Sequence, residues 1–162
     1  MNLLEAKNLY KSFGNINAVS DISISLNVGE VIGFLGPNGA GKSTTMKILT
    51  GFLEADSGSI EIKKIDLSKD PINAKSIIGY LPEGAPSYSD MTVKSFLYFV
   101  GKMRGLKDEL LEKRLEIMLK DINLIEVQNQ IIETLSKGYK RRVGIAQACL
   151  LYTSDAADDL IG

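Results

Sequence analysis

Between Gly36 and Ser43 the chain reads GPNGAGKS, with three glycines placed ahead of a lysine and a hydroxyl residue. Glycines let the backbone curl so that its N–H groups point inward, and a helix opening there adds its positive end, so the arrangement suits an anion. Gly36, Pro37, Asn38, Gly39, Ala40, Gly41, Lys42 and Ser43 fit the pattern G-x-x-x-x-G-K-[ST] at every position. In such a loop the Lys42 ammonium reaches terminal phosphates and the Ser43 hydroxyl holds Mg²⁺. The plain alternative is a glycine-rich turn at a helix start, which requires neither the lysine nor the serine. The chain contains no histidine, so any chemistry rests on Lys, Ser/Thr, Asp/Glu and backbone groups.

These residues need a strand before them and a helix after. VIGFL, at 31–35, is a short apolar run of the kind that forms a buried parallel strand. From Ser43 the pattern turns helical, with Met46, Ile48 and Leu49 apolar and Gly51 as the stop. Upstream, an apolar-rich segment runs from Leu3 to Leu9, and Ile22, Ile24, Leu26 and Val28 alternate with polar residues as in a half-buried strand. DSGSIEI predicts a turn feeding a strand, Asp70-Pro71 a capped helix start, and SIIGYLPEG a further buried strand. From Thr92 to about Leu119 the apolar spacing is helical, broken at RGLKD, and the helical stretch extends to about Glu133. The nearest imitation of a guanine-reading N-K-x-D motif is KKID, Lys63 to Asp66, which reads better as solvated charges at a strand end.

Leu135, Ser136, Lys137, Gly138 and Tyr139 stand at the entry to one more helix, followed by KRRVGIAQA. With the phosphate loop, this element makes the chain resemble the ATP-binding domain of ABC transporters, whose L-S-G-G-Q signature opens a helix; the departures are Lys137 and Tyr139. The resemblance covers Asn2 to about Ala148. It implies an α/β P-loop NTPase fold: a RecA-like core, here with its sheet incomplete, an antiparallel β subdomain and an inserted α-helical subdomain at about 84–134. It further implies ATP and Mg²⁺ as cofactors, with the nucleotide on Gly36 to Ser43 and Thr44. Phe13 matches the aromatic that stacks on adenine, and Val19 the apolar residue beside it. The signature residues contact ATP held by a second ATP-binding subunit. Glu83 stands where the family has its Q-loop glutamine, and it offers a carboxylate to Mg²⁺ or to the attacking water. The Pro-Glu-Gly form around it looks most like drug, sodium or gliding-type exporters. A separate membrane permease is the implied partner, which would place the chain in the cytoplasm, peripheral on the inner face of the membrane.

The family's Walker B Asp-Glu pair, counted from Leu135, falls at Asp159, but DAAD replaces the apolar strand and Leu160 takes the place of the glutamate. The family's switch histidine is absent too. The resemblance implies an ABC-type ATPase that couples Mg-ATP binding and hydrolysis to export through the permease, whereas the chain as given is expected to bind ATP while lacking the residues that hydrolyse it. A non-hydrolysing regulatory or DNA-associated ATP-binding module is the alternative function. Residues 1–148 are read as an incomplete ATP-binding domain and 149–162 as a non-native tail. Cys-Leu-Leu-Tyr-Thr-Ser from Cys149 reads back as TGT CTC TTA TAC ACA TCT, a transposon end used in sequencing adaptors.

Composition agrees with one soluble domain: 162 residues, 44% hydrophobic and 24% charged. A net charge of -1 provides no overall field toward nucleic acid or anionic lipid. The cluster Lys137, Lys140, Arg141 and Arg142 is read as the solvated face of a helix whose apolar side is Val143, Ile145, Ala146 and Leu150, so no nucleic-acid partner is expected. One cysteine excludes an internal disulfide and fits a reducing compartment. The N-terminus lacks a signal-peptide pattern, and no apolar run approaches the length of a membrane span.

Overall fold

A computed structural model describes residues 2–82 and 88–150. Glu83 and residues 151–162 of the expected tail lie outside it. The chain divides into two compact units, 1–78 and 79–162.

The first unit is built on a four-stranded antiparallel sheet in the order β2-β1-β3-β4. Its strands are β1 (Asn2–Phe13), β2 (Ile16–Asn27), β3 (Ser57–Ile62) and β4 (Ile65–Asp66). The alternation read in the sequence sets the register: Leu4 pairs with Leu26, Ala6 with Ile24 and Leu9 with Ile22. Alternation sets Leu4 and Ala6 on the inward side, and the register shift between Ala6 and Leu9 brings Leu9 to the same side. Val28 lies beyond the end of β2 and is exposed, so the alternation outruns the strand by one step. Ile48 and Leu49 of helix α1 (Lys42–Leu49) and Ala74 of helix α2 (Pro71–Ser76) belong to the same core. The Asp70 carboxylate caps α2 by accepting from the Asn73 amide at 3.3 Å, as the Asp-Pro pair predicts. Lys63 and Lys64, both exposed, form the left-handed turn between β3 and β4, so KKID lies in a hairpin.

The expected buried strands at 31–35 and 76–82 do not form. Among the described residues no strands pair in parallel. Val31 and Leu35 are almost fully exposed, and Ile77 and Ile78 are half-buried. An apolar run states how much burial a strand would gain, whereas a ladder needs a neighbour to take up its N–H and C=O groups. No such neighbour stands among the described residues.

The second unit is helical. Helices α3 (Val93–Met103), α4 (Asp108–Asp121) and α5 (Lys137–Cys149) pack together with two 3₁₀ turns, Ile125–Val127 and Ile132–Thr134. Thr92 caps α3 through the Ser95 amide at 3.2 Å, and Gly105, with φ +81°, turns the chain between α3 and α4. Phe96, Leu97, Leu111, Leu115, Leu124, Ile132, Val143 and Leu150 are fully buried. Each such side chain contributes roughly 1.5–3 kcal/mol. Ile145, expected on the buried face of α5, is 38% exposed. Gly144 takes the inward place: a β-carbon there would stand 2.6 Å from Leu81 Cδ1, so its absence lets the helix approach the segment just ahead of Glu83.

Candidate functional site

The phosphate loop grows out of the helix it precedes. Gly41 is the N-cap of α1 in the left-handed conformation, with φ +79°, and has no side chain to bond the first-turn amides. Those amides point out of the helix start, where orphan N–H groups and the helix dipole favour an anion. Gly39 is left-handed as well, so the backbone reverses twice within a few residues. The Lys42 ammonium folds back over the loop, donating to the carbonyl oxygens of Gly36 and Pro37, each at 2.6 Å. An ammonium has three donors, so one remains without a partner among the described residues. The Pro37 carbonyl also accepts the Ala40 amide at 3.3 Å, closing the turn through Asn38 and Gly39. Ser43 is exposed and Thr44 half-buried on the first turn.

Thr45, which the sequence motif does not mark, is a buried polar residue of the core side. Its hydroxyl donates to the Gly41 carbonyl at 2.9 Å, and its amide donates to the same oxygen at 2.8 Å. The double bond fixes the N-cap from below. The only sequence signal for it is a β-branched hydroxyl residue four places after the last loop glycine.

Val19 is buried, its Cγ2 within 3.7 Å of where a Gly41 β-carbon would stand, so β2 carries it to the loop's edge. Phe13 ends β1 and is 48% exposed. Its neighbour two places back, Lys11, carries its ammonium 5.7 Å from the ring centroid. Asp56 accepts from that ammonium and from the Ser12 amide, each at 2.7 Å. The lysine bond, then the amide, hold the Asp56 carboxyl below the usual carboxylate range.

In the second unit Leu135 to Tyr139 open α5 (Lys137–Cys149), as the sequence predicts. Leu135 is buried and anchors the loop, Ser136 is the N-cap, and its hydroxyl accepts the Tyr139 amide at 3.4 Å. Lys137 and Gly138 are exposed, and a β-carbon on Gly138 would meet only Ser136 Oγ, at 3.9 Å. The N-terminal face of α5 is therefore open on the glycine side. Tyr139 is half-buried, with the Arg142 guanidinium 5.2 Å from its ring, and Arg142 also donates to the Asn123 carbonyl at 3.5 Å. Lys140 and Arg141 are exposed, as a solvated face requires.

Three features fit a nucleoside triphosphate: a helix start with no side-chain cap, a double left-handed turn and a lysine with one donor unpartnered among the described residues. For Mg²⁺ the chain offers the exposed Ser43 hydroxyl, which suits an ion that keeps waters and takes its other ligands from phosphate. No helix of the described residues is long and apolar enough to cross a membrane.

Comparison with known proteins agrees with the geometry. The family model described as ABC transporter matches residues 19–154. The linearmycin resistance ATP-binding protein LnrL of Bacillus subtilis is 40% identical over 148 residues, 91% of this chain and 48% of that protein. The lipopolysaccharide export system ATP-binding protein LptB of Escherichia coli K12 is 37% identical over 151 residues, 91% of this chain and 63% of LptB. This chain thus spans about half to two-thirds of the length of these relatives. Among solved structures, an ATP-binding subunit of an ABC transporter superposes with a TM-score of 0.83 at 32% identity, covering 92% of this chain and 62% of that one. An ATP-binding cassette in its ADP conformation superposes at 0.77 and 27%, covering 93% and 65%. Motif, fold and relatives converge on one conclusion: the chain belongs to the ABC transporter family, among its ATP-binding subunits.

Proposed function

We propose that this chain is the nucleotide-binding part of an ABC exporter, holding Mg-ATP between the Gly36–Thr44 loop of one copy and the Leu135–Tyr139 element of another. The observation that carries the reading is the Lys42 ammonium, held at 2.6 Å from two loop carbonyls over an uncapped helix start. Two of its donors are held by loop carbonyls, which leaves a third to meet a phosphate oxygen. The first-turn amides of α1 take up phosphate oxygens, and the Phe13 ring stacks on adenine, a contact to a π-face that discriminates weakly between bases. Bound Mg²⁺ neutralises charge on the phosphates, with Ser43 and Glu83 as its candidate partners in this chain. From a second copy, the Ser136 hydroxyl, the Gly138 backbone and the start of α5 present donors to the terminal phosphate.

Export is supported by the name of one relative, the lipopolysaccharide export system ATP-binding protein LptB. The helical insert at about 84–134 would dock on a membrane permease, placing the subunit on the cytoplasmic face. Within the 162 residues no Asp-Glu pair follows the signature, so this chain would hold ATP without turning it over.

Calorimetry of Mg-ATP binding tests the core of the reading. Lys42→Ala is expected to weaken binding about ten-fold or more, the scale of a lost charged hydrogen bond of roughly 1.5–3 kcal/mol. Equal affinity in the two proteins would refute it.

A further inference from the structure

Phe13 is accompanied by a small network that the phosphate loop does not explain. Lys11 and Phe13 lie two places apart on β1 and so share a face of the strand. The Lys11 side chain is only 16% exposed, and its ammonium stands 5.7 Å from the ring centroid, within reach of the ring's negative face. Asp56 fixes that lysine at 2.7 Å. The same carboxylate takes the Ser12 amide at 2.7 Å, and the Asp56 amide donates to the Tyr10 carbonyl at 2.8 Å. One aspartate thus ties down three consecutive residues, Tyr10 to Ser12, immediately before the ring. On the other side the Ser12 hydroxyl donates to Asn17 Oδ1 at 2.9 Å, pinning the hairpin that carries Phe13. The ring is still 48% exposed.

We infer that Lys11, held by Asp56, is a positioning residue for the nucleobase: it fixes the Phe13 ring as a half-covered platform, and acts on adenine only through that ring. The inference rests on the reading of Phe13 as the stacking residue. Two effects follow from the geometry. A cation beside the ring draws electron density from it, which favours stacking by an electron-rich purine. A ring already held in one orientation loses little freedom when the base arrives.

The test uses the full chain and two probes, ATP and inorganic tripolyphosphate, which has no base. Lys11→Met is expected to raise the dissociation constant for ATP about two- to five-fold, the scale of one cation–π contact, and to leave that for tripolyphosphate unchanged. Lys11→Arg, which retains a cation, should restore ATP affinity. Asp56→Asn, which keeps an acceptor for the Ser12 amide, should reproduce the base-dependent loss by a second route. In a Phe13→Leu background, Lys11→Met should have no further effect on ATP. Equal weakening of both probes would overturn the inference, because it would show that Lys11 acts on the phosphates or on the fold. So would an undiminished Lys11→Met effect in the Phe13→Leu background. If Phe13→Leu alone weakens ATP and Lys11→Met does not, stacking stands and the positioning role falls. If Phe13→Leu leaves ATP binding unchanged, both fall together.

Discussion

The carbonyl oxygen of Ala18 lies 2.1 Å from the point where a β-carbon on Gly41 would stand. Backbone therefore meets backbone at the N-cap of α1, and Gly41 is also left-handed, with φ +79°. Gly39 shares the left-handed conformation but has open space around it. Gly39→Ala is expected to cost roughly 1–2 kcal/mol from conformation alone. Gly41→Ala adds a clash that only movement of β2 or of the loop relieves, so its loss should be the larger and should extend to ATP affinity. Urea unfolding and calorimetry of both variants check the order.

Ser136 offers a way to separate stability from phosphate binding. Ser136→Ala removes the cap of α5 and should cost about 1 kcal/mol. Ser136→Asp retains a good cap but sets a negative charge where a second copy's terminal phosphate would arrive. The expected outcome is near wild-type unfolding with loss of ATP-dependent pairing of copies, read by light scattering with and without Mg-ATP. If Ser136→Asp pairs normally, the signature element does not face phosphate.

Hydrolysis should stay at background. A missing general base forfeits roughly 100- to 10,000-fold in rate. Phosphate release by the pure chain is expected to match that of Lys42→Ala. Steady turnover abolished by Lys42→Ala would show that a carboxylate elsewhere serves, with Glu83 the first to substitute.

Asp66, at the end of β4, provides a pH handle. The Ser68 hydroxyl, then the Lys69 ammonium and the Ser68 amide, lower its pKa from 3.8 to about 2. Because the folded value is depressed, its stabilising effect is fully present above pH 3.8 and is lost as pH falls through about 2. A carboxyl NMR titration should show this midpoint, and Ser68→Ala should move it back toward 3.8.

The sequence made the local chemistry legible and left the long-range pairing unread. The cap at Asp70, the onset of helical spacing at Thr92, the helix entry at Ser136, the stop at Gly51 and the break at RGLKD depend on residues within a few positions of one another, so spacing alone revealed them. The runs at 31–35 and 76–82 read as strands because they are apolar, but a parallel strand is completed by neighbours distant in sequence. Gly144 read as a helix residue like any other, since its role depends on where Leu81 lies. The Asp56 bond to Lys11 spans 45 positions, and nothing in either residue's vicinity announces the other.

Val31 and Leu35, 94% and 96% exposed, also bear on handling the protein. Between them lies a stretch that is outside any strand among the described residues and displays apolar side chains, the combination that recruits further strands. During overproduction this stretch would be the chain's weak point, inviting heat-shock chaperones to hold it and neighbouring copies to stack upon it. Recovery in soluble form should therefore fall as expression temperature and concentration rise, and polar replacements at these two positions should improve yield without touching the nucleotide loop.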